Sequence, residues 1–62
     1  MSSPKESVFN VEFVGDYFVL TTTVIADSEE QAEENANRTL MEHYGLNIAV
    51  ISNDISAMEV GL

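Results

Sequence analysis

Eleven of the 62 residues are acidic and only two, Lys5 and Arg38, are basic, with one histidine and no cysteine. That inventory decides which chemistry is open to the chain. The densest acids lie in DSEEQAEEN, where Glu29 and Glu33, and likewise Glu30 and Glu34, stand at i,i+4 spacing. Side chains so spaced share a helix face, which leaves two uses: holding a hard cation or presenting a row of negative charge. A calcium-type cation takes about six to eight oxygen ligands, so two carboxylates with no EF-hand spacing around them bind it weakly. No metal is expected. Nucleophilic chemistry needs a nucleophile beside a base, and His43 has neither a cysteine nor a serine near it in sequence. The glycines at 15, 45 and 61 are scattered, so no phosphate-binding loop is spelled. The chain reads as non-enzymatic, with no catalytic residue and no cofactor.

Charge is the chemistry that remains. A formal −9 speaks against direct nucleic-acid binding, in which Lys and Arg displace counterions from phosphate, and anionic membranes repel it. The same charge attracts a basic protein partner. Carboxylates in a row can also stand in for phosphates and block a basic DNA- or RNA-binding groove. The candidate acidic partner surface is Glu30, Glu33, Glu34 and Glu42 from a helix, with Asp16, Asp27 and Asp54 from turns. The plainer structural role is also available: acids in the first turns of a helix meet the positive end of its dipole and mark where it starts.

Positioning those acids requires a helix. Asp27 or Ser28 can cap it, with Glu30 or Gln31 three residues on to complete a capping box. The helix is expected from about Ser28 to Tyr44, with Ala32, Ala36, Leu40 and Tyr44 as an apolar stripe at four-residue spacing. Gly45 suits the left-handed residue after the last turn, with Leu46 as the apolar contact that follows.

Before the helix, SVFNVEFVGDYFVLTTTVIA is rich in β-branched and aromatic residues. Gly15-Asp16 reads as a two-residue type II′ hairpin turn. That turn sets Val14 opposite Tyr17, Phe13 opposite Phe18, Val11 opposite Leu20 and Phe9 opposite Thr22. One face becomes the core; the other collects Val8, Val14, Tyr17, Val19 and Ile25. After the helix, residues 48–51 are expected to cover one end of the core and residues 54–60 to add a third strand. The alternative is one long strand bulged near Asn53. The fold class is α+β: a ββαβ chain forming a three-stranded antiparallel sheet with one helix on one face. Residues 7–62 make the domain, and residues 1–6 a flexible lead-in.

A chain this short buries only roughly 60% of the surface its unfolded form exposes. One helix covers one face of a sheet, so Val8, Val14, Tyr17, Val19 and Ile25 form a candidate oligomer interface, and a homodimer is expected. MSSPKESVFN lacks the apolar core of a secretory signal, no apolar run approaches the roughly 20 residues of a membrane helix, and a cysteine-free chain fits a reducing cytoplasm.

The stretch from Tyr17 to Ala36, YFVLTTTVIADSEEQAEENA, resembles a pattern in small orphan proteins of phages and mobile elements, including the DpnD-like kind. In these a strand ends in an A-D/E-S-E-E-A segment and turns into a short helix. The resemblance covers about a third of the chain. It implies the same ββαβ order and a viral accessory role in a host cytoplasm, and it carries over no functional residue. The expected function is that of a small acidic protein-binding domain that modulates a host protein, with the phosphate mimic as the alternative.

Overall fold

Alternation in SVFNVEFV turns Phe9, Val11 and Phe13 to one side of the first strand, where they are 4%, 0% and 0% exposed. The computed structural model describes residues 6–61; apart from Glu6, the lead-in expected over residues 1–6 lies outside them. The elements are β1 (Ser7–Val14), β2 (Val19–Ala26), α1 (Glu29–Tyr44), α2 (Ile48–Ile51) and β3 (Asp54–Gly61). The sheet is antiparallel with order β2-β1-β3, so the strand with two buried phenylalanines is central. Helix α1 packs on the side those residues face. This is the ββαβ α+β fold read from the sequence, with α2 as a short addition.

The hairpin register differs from the expected one. Val14 stands opposite Val19, Phe13 opposite Leu20, Val11 opposite Thr22 and Phe9 opposite Val24. The connection is therefore residues 15–18, and the Gly15 N–H donates to the Phe18 carbonyl at 2.9 Å. Among the described residues only Gly45 has positive φ, so Gly15 does not make the type II′ turn, which needs positive φ there. The physical reason is Phe18. Its ring lies over Gly15 where a Cβ would collide with it, and it packs against the core instead of pairing in the ladder. The slip is two residues, the period of a strand, so the β2 side chains keep their expected faces. Tyr17 is the casualty: it sits in the loop, 98% exposed.

Ser28 is the helix cap, its Oγ accepting the Gln31 N–H at 3.1 Å. The reciprocal half of the capping box is absent, because the Gln31 amide turns along the helix to Glu34 (3.3 Å) and Asn35 (3.0 Å). Ala32 and Ala36 are 0% exposed and Leu40 8%, while Tyr44 is 48% exposed and drops out of the stripe. The two alanines let the helix backbone approach the sheet closely. Gly45 ends the helix at φ 77°, its N–H donating to the Met41 carbonyl at 2.8 Å, and Leu46 stays about half exposed at 47%.

Residues 48–51 form one helical turn that seals an end of the core with Ile48. Asn37 Oδ1 holds that turn by accepting the Ala49 N–H at 2.9 Å. Asn53 N–H then donates to the Val14 carbonyl at 2.7 Å, which starts β3 beside the end of β1. The one-long-strand alternative is thus replaced by a turn and a strand. The bulge lies elsewhere, where the register shifts between Val8 and Phe9 opposite the end of β3.

Candidate functional site

The registers place the uncovered side chains in cross-strand rows. Val19, Val14 and Asp54 form one row; Thr21, Glu12 and Ser56 the next; Thr23, Asn10 and Met58 a third; Ile25 lies beside Val8. Val8 and Val14, on the central strand, are partly covered by their neighbours. Val19 and Ile25 are each 60% exposed and Met58 68%. Four of the five residues expected on this face, Val8, Val14, Val19 and Ile25, are on it, and Tyr17 is not. The face is polar along the middle of β1, where Glu12 and Asn10 stand, and apolar where Val14 pairs with Val19, where Val8 pairs with Ile25, and at Met58 beside Asn10. Met58 was missed, although the signal was available. Once residues 54–60 are a strand with Ile55 and Ala57 inward, alternation turns Met58 outward.

The expected acidic surface separates into groups. Glu30, Glu33 and Glu34 line a groove of ≈ 380 Å³ with Ala49 and Ile55. Asp16 accepts a hydrogen bond from the Asn53 side-chain amide and so shares the hairpin end of the sheet with Asp54. Asp27 is exposed in the β2–α1 connection, next to the cap. Glu42 lies on the opposite flank, where it lines a groove of ≈ 680 Å³ with Arg38, Asn35, Thr39, Val24 and Ile25. Among the described residues, no three His, Asp or Glu side chains gather as a metal ion would require. His43 is exposed, and its ring meets Tyr44 edge-on with centroids 4.7 Å apart. Among the described residues, no helix is long and apolar enough to cross a membrane.

The two edges of the sheet differ. β3 carries Asp54 and Glu59 and ends in the irregular pairing with β1. β2, VLTTTVIA, has no charge and no proline, and it pairs regularly with β1 along its whole length. The Asn35 amide donates to the Ile25 carbonyl at 3.3 Å, which closes one end of that edge and leaves its middle open.

Comparison of the chain with protein-family models, with curated proteins and with solved structures found no match.

Proposed function

We propose that this chain is a cytoplasmic, non-enzymatic protein-binding domain, an accessory factor of the phage type that modulates a host protein. The observation that carries the reading is the open sheet face, where Val19, Ile25 and Met58 are each at least 60% exposed and the single long helix lies on the other side. Contiguous apolar side chains left uncovered mark interaction surfaces, and here Val14 adjoins Val19 and Val8 adjoins Ile25. The host-protein part rests on the resemblance of residues 17–36. A second reading, the phosphate mimic that occupies a basic groove, is supported by Glu30, Glu33 and Glu34 standing around one groove.

Capture from a host-cell lysate separates the two. The bait is the full chain, as wild type, as Met58→Lys, and as the triple variant Glu30→Gln, Glu33→Gln, Glu34→Gln. Salt is raised from about 0.1 M to about 1 M, which shortens the Debye length from about 10 Å to about 3 Å. Binding through the open face survives salt and is lost in Met58→Lys. Mimicry is lost in salt and in the triple variant, and added DNA competes with it. A partner retained equally by both variants at high salt disposes of both readings.

A further inference from the structure

We infer that β2 is the docking edge for a second copy of this chain, the two β2 strands pairing antiparallel about a two-fold axis at Thr22. This goes beyond the binding reading above and uses a different surface.

Alternate N–H and C=O groups of an edge strand have no partner within their own sheet, and proteins that stay monomeric guard such edges with charges, prolines or bulges. This chain guards one edge. β3 carries two acids, Asp54 and Glu59, and a register irregularity, whereas β2 has none of these features although the chain holds 11 acids. Self-pairing of β2 therefore sets no acid opposite an acid.

The order of residues in β2 names the occupant. Read outward from Thr22, the segment Val19–Ile25 is symmetric in side-chain class: Thr21 answers Thr23, Leu20 answers Val24, and Val19 answers Ile25. An isologous two-fold interface needs this self-complementarity, since each residue meets the partner's counterpart of its mirror position. In that register Thr21 faces Thr23 of the second copy, and each apolar residue faces an apolar one. Thr–Thr and β-branched pairs are among the favourable cross-strand combinations. A basic peptide from another protein would gain nothing from a strand without charge.

The flank of the edge carries both signs of charge. Arg38 and Glu42 both line the groove beside Val24 and Ile25. A two-fold axis normal to the sheet keeps both helices on the same side. The axis at Thr22 sets the two grooves, each with its own Arg38 and Glu42, toward opposite ends of the paired strands. The open face suits a second copy less well. Glu12 stands in its middle row, between Thr21 and Ser56, and face-to-face pairing would bury two such carboxylates without a cation.

The test is the mass of the full chain in solution, by sedimentation equilibrium over a concentration series from low micromolar to millimolar. The wild type is expected to reach twice its 6.8 kDa mass. Thr21 and Thr23 are exposed, so Thr21→Lys with Thr23→Lys leaves the fold intact by far-UV circular dichroism. It sets lysine opposite lysine in both pairs and weakens the dimer roughly tenfold or more. That change moves the net charge from −9 to −7, so general repulsion cannot explain the loss. Thr21→Glu with Thr23→Lys sets unlike charges opposite in both pairs and restores the dimer. If the double-lysine chain does not fold, Thr21→Glu with Thr23→Glu serves as the like-charge variant. Met58→Lys, on the open face, leaves the mass unchanged. A wild type that stays monomeric to millimolar concentration overturns the proposal. So does a like-charge variant that pairs as well as wild type, a charge-swapped chain that stays monomeric, or a dimer lost in Met58→Lys.

Discussion

The two faces of this sheet are built from alternate residues of the same three strands, and they have opposite fates. On one, Phe9, Val11 and Phe13 of β1 meet Ala32, Ala36 and Leu40 of α1, all at most 8% exposed. On the other, Val19, Ile25 and Met58 remain mostly in solvent. Hydrophobicity does not separate them, since valine and isoleucine occur on both. What separates them is the helix, whose two alanines leave room for close approach on one side only. The covered face therefore holds most of the folding energy. The open face is free to be selected for contacts with other molecules. Substitutions at neighbouring positions should accordingly read out in different experiments, stability on one face and binding on the other.

The largest expected effect is Phe13→Ala. The side chain is 0% exposed at the centre of the core, and such truncations cost about 3–5 kcal/mol. A domain of this length has roughly 3–9 kcal/mol to lose, so the variant should be largely unfolded at ambient temperature by circular dichroism. A cooperative melt close to that of wild type would mean the covered face is not the core. Approached from the helix side, Leu40→Ala should cost about 2–5 kcal/mol, measured by urea titration. An unchanged midpoint would show that α1 contributes no packing through that residue.

Gly15→Ala tests the connection between β1 and β2. A Cβ there falls on the Phe18 ring, and overpacking of this kind costs about 1–3 kcal/mol. If Phe18 moves off, the four-residue connection loses the contact that distinguishes it from the tighter turn. Amide exchange of Gly15, whose N–H is held by the Phe18 carbonyl at 2.9 Å, should then accelerate. Equal protection in both chains would show that the ring does not set the register.

What could be read from the sequence follows the range of the interaction. The alternation of β1, the Ser28 cap and the left-handed Gly45 are local, and each is found where the residue types place it. The hairpin register was not legible. Gly-Asp has the composition of a two-residue turn, but the choice was made by Phe18 folding over Gly15, a contact that no pairing rule contains. Residues 48–51 illustrate another gap, because four apolar residues have the same pattern as a strand or as one turn of helix; Asn37, reaching to the Ala49 N–H, supports the helical turn. The acids were partly legible. Glu30, Glu33 and Glu34 meet because their spacing keeps them on one side. Glu42 lies nine residues beyond Glu33, about two and a half turns at 3.6 residues per turn, which puts it on the opposite flank. That arithmetic was available from the sequence; it separates Glu42 from Glu33, while Glu34, eight residues before Glu42, lies between them on the solvent side.

The smallest effect belongs to the open face and is the sharpest test of the contrast. Met58 lies one residue beyond Ala57, which packs against the core, yet it is 68% exposed. Met58→Ser removes an apolar side chain that has little to pack against, and substitutions at such surface positions usually change stability by no more than about 0.5 kcal/mol. The residue also sits on β3, across the sheet from the β2 edge, so this expectation holds for the free chain and for a pair joined through β2. The measurement is a urea titration at low and high protein concentration. A loss near zero at both keeps the open face free for a different partner. A loss above about 1 kcal/mol confined to high concentration would mean that this face is buried when chains associate, which would place self-association on the face and take it away from the edge.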